Sequence, residues 1–287
     1  MALTDKPLIY IVIRYHNAYD LTKACINSLS SCTYENLKFL IVDDSSSDES
    51  ASKLCDDFNS KVDISSIKMD RYSDYCISLN KGMHYALDDG AEFIFVVNND
   101  TKSFSINYFE KLLELFYSDS NIAIVGSKVY DYYGEVRSDA KPIIRLGTII
   151  PIPTEGYMFS RLAIKKLGFF DEKLVRHMED FDYVIRCEQM GLKCISTNEV
   201  SFDHLGGGTS RYQLFYPHFY RMRNVIWFMK KYRAGWNIFT KIKFAVGYFK
   251  HHLIKARSSI KSGYYFTGIT QVLSAILGTI AGTLTKW

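Results

Sequence analysis

The chain has 287 residues, which is enough for one large domain or two modest ones with a substantial core. It is 47% hydrophobic and 23% charged, with only five prolines, which excludes a disordered or collagen-like chain. The six cysteines form no CxxC pair and no zinc-site spacing, so they are interpreted as buried thiols of a reducing compartment. The first ten residues, MALTDKPLIY, lack the pattern of a signal peptide, and we therefore predict an intracellular protein.

The net charge of +4 hides a division along the chain. Residues 1–210 carry 22 Lys and Arg against 31 Asp and Glu, a net charge of −9. Residues 211–287 carry 13 Lys and Arg and no acid, a net charge of +13, and the last carboxylate is Asp203. This break predicts that the C-terminal segment contacts an anionic surface, either membrane headgroups or nucleic acid.

Short apolar runs alternate with segments of helical spacing in the first half of the chain. Strands are predicted at 8–15, 39–42, 93–97 and 122–125. Helices are predicted at 18–30 and from the acidic turn that follows the second strand to residue 58. This alternation predicts βαβ units and a largely parallel, doubly wound sheet. No GxGxxG follows the first strand and no P-loop lysine motif occurs, which argues against a classical dinucleotide fold.

The second predicted strand ends in the acidic turn VDDSSSDES, residues 42–50. Carboxylates at a strand end can accept hydrogen bonds from the N–H of a base or the hydroxyls of a ribose, and we assign this role to Asp43 and Asp44. For Asp48 and Glu49 a helix cap is the better interpretation, because acids suit the positive end of a helix dipole.

The third strand ends in Asn98, Asn99 and Asp100. Oxygen ligands at the end of a buried strand are typical of a site for a hard divalent cation, which also binds substrate phosphates. A simple turn is an equal alternative, since Asn and Asp are common in turns.

Three acids, Glu179, Asp180 and Asp182, lie in the first turn of a predicted helix. Such acids usually stabilise the helix dipole, but three of them repel one another, so a carboxylate acting as general base is an alternative. His204 lies beside a glycine-rich loop (206–208) and is either structural or a metal ligand.

Together these motifs resemble the GT-A-fold, family 2 inverting glycosyltransferases, over a stretch from about Ile9 to Asn224. The matching segments are IVIRYHN (11–17), VDDSSSDES (42–50), LNKG (79–82), VVNNDT (96–101), EGYMF (155–159), GFFDE (168–172), MEDFD (178–182), His204 and RMRN (221–224). Two departures are notable: the metal motif contains one carboxylate, and Arg14 precedes Tyr15 where a small residue is common. Asn-Asn-Asp at this place resembles relatives that use dTDP-rhamnose.

The resemblance implies an α/β GT-A fold with a mainly parallel central sheet and a helical C-terminal tail. A catalytic domain would span 1–224, with a nucleotide-binding half at about 1–101 and an acceptor half at about 102–224, followed by a membrane-associating tail at 225–287.

The resemblance also implies functional residues and a cofactor. Asp180 would be the catalytic base and Glu179 its neighbour in the site. Asp100 and His204 would hold Mn²⁺ or Mg²⁺. The nucleotide-sugar donor would contact Tyr15, Asn17, Asp43, Asp44, Arg71, Asn80 and Asn99.

The tail has features of its own. In residues 238–250, the apolar positions 238, 239, 242, 245, 246 and 249 share one helical face, and lysines lie off it. This pattern indicates a helix lying in a membrane interface, with a helix packed on the catalytic domain as the alternative. Residues 262–285 are uncharged and long enough to span a bilayer, but their many polar residues favour peripheral attachment.

We therefore expect a glycosyltransferase on the inner face of the cell membrane, acting on a lipid-linked saccharide in cell-wall or surface-polysaccharide synthesis, and able to form a homo-oligomer. One alternative is a non-catalytic sugar-nucleotide-binding subunit. Another is a nucleic-acid-binding protein, which we disfavour because acids at successive strand ends would repel phosphates.

Overall fold

The computed structural model describes residues 6–131, 136–138, 143–145, 148–150, 155–206, 215–261 and 263–286. Residues 1–5 of the segment tested for a signal peptide, and two glycines (207 and 208) of the loop after His204, lie outside these ranges. The described residues form two compact units. The first comprises those within Met1–Phe170 and Tyr183–Gly208, and the second those within Asp171–Asp182 and Thr209–Trp287.

Strands predominate in the first unit. They are β1 (Ile9–Tyr15), β2 (Leu37–Asp43), β3 (Asp63–Lys68), β4 (Phe93–Val97), β5 (Thr101–Lys102), β6 (Ile122–Asp131), β7 (Val136–Ser138), β8 (Ile143–Arg145), β9 (Thr148–Ile150), β10 (Gly156–Ser160) and β11 (Lys193–His204).

Helices connect these strands and form the C-terminal part of the chain. They are α1 (Tyr19–Leu29), α2 (Ser50–Phe58), α3 (Tyr75–Asp88), α4 (Tyr108–Ser118), α5 (Arg161–Leu167), α6 (Glu179–Gln189), α7 (Tyr216–Tyr232), α8 (Ile238–Lys261) and α9 (Tyr265–Leu284). The predicted domain boundary at residue 224 lies inside α7.

The central sheet has the order β3-β2-β1-β4-β10-β6-β11-β5, with β7 paired to β6. Strands β2, β1 and β4 are parallel neighbours, as the sequence predicts. Strand β3, which the sequence does not predict, pairs parallel to β2, and β10 runs antiparallel between β4 and β6. The fold is the expected GT-A fold: a mostly parallel sheet with helices, followed by a helical C-terminal region. Strands β8 and β9 form a separate two-stranded sheet.

A glycine sets the distance between α3 and the sheet. A Cβ added at Gly82 would lie 2.6 Å from Val12 Cγ1 and 2.7 Å from Val42 Cγ2, both on the buried strands β1 and β2. Only hydrogen at this position allows the helix to pack so closely. The LNKG segment therefore contributes to packing of the first unit.

Helices α7, α8 and α9 pack together in the second unit. A Cβ at Gly278 would lie 2.1 Å from the Phe219 carbonyl oxygen, and one at Gly282 would lie 2.7 Å from that of Arg223. The Lys230 ammonium donates to the carbonyls of Gly282, Thr283 and Thr285 at 2.7–2.8 Å and so caps the end of α9. The small residues that interrupt the apolar run of α9 thus have a packing role.

The apolar face predicted on α8 is exposed to solvent. Ile238, Phe239, Ile242 and Val246 are between 46% and 79% exposed, whereas Phe244, outside the predicted face, is buried. Helix α9 is long and apolar enough to cross a membrane, by length and composition alone, and it is the one such helix among the described residues.

Candidate active site

Three parallel strands deliver the predicted site residues to one edge of the sheet in the first unit. In the register of the sheet, β1 ends at Tyr15 opposite Asp43 of β2, and Val97 of β4 pairs with Ile13. The polar turns that follow β2 and β4 therefore emerge at the carboxyl edge, where α/β proteins bind ligands. The antiparallel pairing of β11 with β5 places His204 opposite Thr101.

Asp100 and His204 meet at this edge although they are far apart in sequence. Their Oδ1 and Nε2 atoms lie 3.0 Å apart, and both side chains are almost fully buried. His204 Nδ1 lies 3.9 Å from Oε1 of Glu155, and its Nε2 lies 3.5 Å from Nδ2 of Asn98. A carboxylate and an imidazole are thus held together among polar side chains of the first unit.

The chemistry of this pair fits a divalent cation. Two ligands at right angles around a cation, each about 2.1 Å from it, lie about 3 Å apart, which matches the Asp100–His204 distance. The described residues contain no group of three His, Cys, Asp or Glu side chains arranged to hold a metal. Asp100 and His204 would therefore supply two ligands, and substrate phosphates and water the others.

The two asparagines of the same turn face different neighbours. Asn99 is buried and its amide donates to the hydroxyl of Thr22 on α1 at 3.1 Å. Asn98 accepts from the Tyr75 hydroxyl at 3.4 Å, and its backbone N–H donates to the Glu155 carbonyl at 2.9 Å. Asn99, predicted to contact the donor, therefore holds the turn onto α1.

Asp44 is surrounded by donors from the protein itself. Its Oδ2 accepts from Arg14 Nη2 at 2.5 Å, Arg14 Nε at 3.1 Å and the Asp74 backbone N–H at 3.0 Å. Its Oδ1 accepts from the backbone N–H of Ser73 at 2.7 Å and the Ser73 hydroxyl at 2.8 Å. Five hydrogen bonds occupy a carboxylate with about four lone-pair sites. Asp44 thus connects Arg14, near the end of β1, to Ser73 and Asp74 in the loop between β3 and α3.

Arg14, the departure from the family pattern, explains this arrangement. Burial alone would lower the pKa of its guanidinium, but the charges of Asp44, Tyr72 and Asp74 raise that pKa above its usual value. The guanidinium also lies 5.4 Å from the centre of the Tyr72 ring. Asp44, which the sequence predicts to bind the base, is therefore paired within the protein with a permanent cation.

Asp43 remains at the same edge with a simpler set of contacts. It is buried, and its Oδ1 accepts from the Ser46 backbone N–H at 2.8 Å. Asn17, in the left-handed region with a φ of 48°, accepts from the Ser47 backbone N–H at 3.0 Å. The loop after β1 and the loop after β2 are therefore joined by a hydrogen bond.

Other predicted donor contacts have structural environments in the first unit. Tyr15 is fully buried and its hydroxyl hydrogen-bonds to Ser50. The Asn80 amide makes a two-way pair with the backbone of Phe170, at 2.9 and 3.0 Å. Arg71 lies exposed between β3 and α3. Sequence patterns did not show that Tyr15 and Asn80 hydrogen-bond to other parts of the protein, and their contact with a donor stays a prediction.

In the second unit, Glu179 and Asp180 begin α6 and are partly exposed. Asp182 differs, because its Oδ1 accepts from Lys231 Nζ at 2.7 Å and from the Tyr232 hydroxyl at 2.5 Å. Asp182 is thus buried and has a structural role, which accounts for one of the three acids in the first turn of α6.

The segment before α6 has an unusual backbone that the sequence did not reveal. Val175, His177 and Met178 have φ values of 65°, 65° and 72°. Left-handed conformations cost residues with a Cβ about 1–3 kcal/mol each and occur where the surroundings hold them. Asn224, the last residue of the RMRN motif on α7, donates hydrogen bonds to three backbone carbonyls of the segment before α6.

His177 lies in a cationic environment. Burial, with the charges of Arg221 and Arg176, holds the pKa of its imidazole well below the usual value, so it is neutral at pH 7. Its Nε2 is buried and has no hydrogen-bond partner. His218 and His252 contribute to the same effect, and their Nδ1 atoms lie 2.6 Å apart.

Solved structures share this fold along most of the chain. A mannosyltransferase from Pyrobaculum calidifontis, PcManGT in complex with GDP-Man and Mn²⁺, is 14% identical with a TM-score of 0.64, over 98% of this chain and 88% of that one. S. aureus TarS 1–349 is 14% identical with a TM-score of 0.61, over 96% and 81%. GalNAc-T7 with UDP, GalNAc and Mn²⁺ is 16% identical with a TM-score of 0.62, over 91% and 58%. At these identities the likeness concerns the fold.

Sequence comparison gives the family. None of the curated proteins matches the chain significantly. The model of the family "Glycosyl transferase family 2" matches residues 10–187, which include β1 except for Ile9, every strand from β2 to β10 and the Glu179–Asp180 pair. The protein is therefore a glycosyltransferase with the GT-A fold, and it belongs to glycosyl transferase family 2.

Proposed function

We propose that this glycosyltransferase moves a sugar, with inversion, from a nucleoside diphosphate donor to a hydroxyl of a saccharide acceptor. The observation that carries the proposal is the buried Asp100–His204 pair at the carboxyl edge of the sheet. The Asn-Asn-Asp sequence of its turn favours dTDP-rhamnose as donor, with a UDP-sugar as the alternative.

Each part of the proposed reaction is assigned to particular side chains. The acceptor oxygen attacks the anomeric carbon, the bond from that carbon to the diphosphate breaks, and Asp180 takes the acceptor proton. Glu179 orients the acceptor, and Asp43 binds the nucleotide. Asp100 and His204 would hold Mn²⁺ or Mg²⁺, and the charge of that cation would offset negative charge on the departing diphosphate.

Asp180→Asn tests the role of the general base. We expect kcat to fall about 10²- to 10⁴-fold, the usual effect of losing a positioned proton acceptor. Glu188→Gln, an exposed acid on the same helix, serves as the matched control and keeps wild-type turnover. Wild-type turnover by Asp180→Asn would reject this assignment.

The donor is identified by thermal unfolding with UDP-, GDP- and dTDP-sugars, in Mn²⁺, Mg²⁺ or EDTA. A donor present at 100 times its Kd adds about 2.7 kcal/mol of stability, which gives a visible shift in Tm. We expect a dTDP- or UDP-sugar to give the largest shift and EDTA to remove most of it. No shift with any donor would contradict the proposal.

We also propose that the protein attaches peripherally to the inner face of the cell membrane through α8 and α9, where it meets a lipid-linked acceptor. Most of the large apolar side chains that the described residues expose lie within 238–284. An apolar groove of about 250 Å³, lined by Met222, Val246, Phe249 and Ile276 among others, opens between α7, α8 and α9. Exposed apolar area beside basic residues, with no acid after Asp203, supports contact with anionic lipid.

Co-sedimentation with phosphatidylglycerol and phosphatidylcholine vesicles tests this attachment. Ile242→Glu with Val246→Glu is expected to weaken binding to anionic vesicles about tenfold or more, because each buried aliphatic side chain contributes about 1.5–3 kcal/mol. Ile106→Glu, a 60% exposed isoleucine of the first unit, is the control and binds as wild type. Equal binding by all three proteins would contradict membrane contact through this surface.

A further inference from the structure

The strained segment in front of the Glu179–Asp180 pair accepts hydrogen bonds from two neighbouring side chains of α7, Asn224 and Arg223. Asn224 is fully buried, and its Nδ2 lies 2.7 Å from the carbonyl oxygen of Leu174, 2.8 Å from that of Arg176 and 2.9 Å from that of His177. An amide nitrogen carries two hydrogens, which these three carbonyls share. Of these three residues, His177 has a positive φ, and Leu174 and Arg176 lie on either side of Val175, which also has one.

Arg223 fixes which way this amide points. Its Nε and Nη2 donate to Asn224 Oδ1 at 3.0 and 2.9 Å, so Nδ2 must face the carbonyls. The guanidinium lies 4.1 Å from the Trp227 ring centre and 4.5 Å from that of Tyr220, and Nη2 also donates to the Lys173 carbonyl at 2.7 Å. The amide therefore has one orientation.

Helix α7 also contacts the chain that follows the Glu179–Asp180 pair. Lys231 and Tyr232, at the end of α7, bind the carboxylate of Asp182. The Asp182 backbone N–H donates to the Met178 carbonyl at 2.9 Å and closes the first turn of α6. The residues on either side of Glu179 and Asp180 are thus attached to α7, through Asn224 before the pair and through Asp182 after it.

We propose that Asn224, oriented by Arg223, is a positioning residue that sets the direction of the Asp180 carboxylate. The inference rests on the proposed role of Asp180 as general base. The strained backbone turns the chain into α6 at a fixed angle, and a base acts only when it lies within hydrogen-bond reach of its proton. Losing the amide releases the turn and misplaces the base without removing it.

The test uses Asn224→Ala and measures release of nucleoside diphosphate, with water as acceptor, from the donor that gives the largest thermal shift. We expect kcat to fall about 10- to 100-fold while KM for the donor changes less than about threefold. Asn36→Ala is the matched control, because Asn36 also donates its amide to a backbone carbonyl, that of Lys6, at 2.7 Å. This control keeps the wild-type kcat.

The double variant Asn224→Ala/Asp180→Asn separates positioning from a general loss of structure. If Asn224 acts through Asp180, the double variant is no slower than Asp180→Asn alone. Losses that multiply, or an unchanged kcat in Asn224→Ala, overturn the proposal. If instead Asp180→Asn alone retains turnover, the base assignment fails, and that outcome is distinct from the first two.

Arg223→Gln keeps the proposal testable if Asn224→Ala does not fold. It retains the amide of Asn224 but removes the guanidinium that orients it. The same loss of kcat at nearly constant KM is expected, together with faster hydrogen exchange of the backbone amides in 174–180. Unchanged kcat and unchanged exchange in a folded Arg223→Gln would overturn the inference.

Discussion

The acidic loops of the first unit and the cationic interior of the second handle buried charge in opposite ways. In the first unit, the side chain of Asp44 accepts hydrogen bonds from Arg14 and from three further donor groups. In the second unit, His177 lies near Arg176 and Arg221 and gives up its charge. A buried acid is thus held by hydrogen bonds from cationic and neutral donors, whereas a buried histidine near arginines is held neutral.

This contrast shows that an acid at a strand end is not by itself a ligand site. Asp44 and Asp100 both follow parallel strands of one sheet and both are buried. Asp44 accepts hydrogen bonds from an arginine, whereas Asp100 lies against an imidazole whose nitrogen can itself bind a metal. Stability is therefore expected to depend on Asp44, and metal binding on Asp100.

The largest expected effect on stability comes from Asp44→Asn. Removing the carboxylate charge leaves the largely buried Arg14 with only the more distant carboxylate of Asp74, 4.0 Å away. Breaking a buried ion pair in this way costs about 3–5 kcal/mol in the free energy of unfolding. Urea denaturation monitored by circular dichroism measures this loss.

Asp89→Asn provides the matched control for Asp44→Asn. Asp89 pairs with Lys38 at 2.6 Å, but their side chains are 44% and 33% exposed, so the expected loss is about 0–1 kcal/mol. Equal losses in the two variants would show that the Arg14–Asp44 pair is no more than a surface ion pair.

A smaller effect is expected from His177 as the pH falls. Its folded-state pKa lies well below the value of about 6.5 in the unfolded chain, so below pH 6.5 the unfolded state binds a proton that the folded state does not. The unfolding free energy therefore decreases as the pH falls from 6.5 toward the folded-state pKa, by at most about 1.4 kcal/mol per pH unit, and this group has little effect on it above pH 6.5.

Urea denaturation at pH 7.5, 6.5 and 5.5 checks the His177 prediction in wild type and His177→Gln. The variant should lose less stability than wild type between pH 6.5 and 5.5. His84→Gln, at an exposed histidine of α3, is the control and should follow the wild-type pH dependence. Parallel curves for wild type and His177→Gln would contradict a neutral, buried His177.

The parallel half of the sheet was predictable because β1, β2 and β4 are buried on both faces and appear as continuous apolar runs. Strand β3 was missed, since DISSIK is a partly exposed edge strand with few large apolar residues. Strand β11 was missed because it is polar and interrupted by irregularities in its pairing with β6.

The chemical types of the site residues were predictable, but their individual environments were not. Composition of the turns pointed to Asp100 and His204, and the structure places them 3.0 Å apart. Nothing local to Asn80 shows that its amide binds the backbone of Phe170, 90 residues away. Likewise the pairing of Arg14 with Asp44 depends on the register of β1 against β2, which a single sequence does not specify.

Asp100 and His204 are proposed to hold the divalent cation of this glycosyltransferase. Mn²⁺ binding, followed by electron paramagnetic resonance in the presence of UDP, GDP or dTDP, tests this role in wild type, Asp100→Asn and the control Asp203→Asn. We expect Asp100→Asn to bind Mn²⁺ about 100-fold or more weakly, and Asp203→Asn to bind it as wild type. Wild-type Mn²⁺ affinity in a folded Asp100→Asn would show that Asp100 is not a metal ligand.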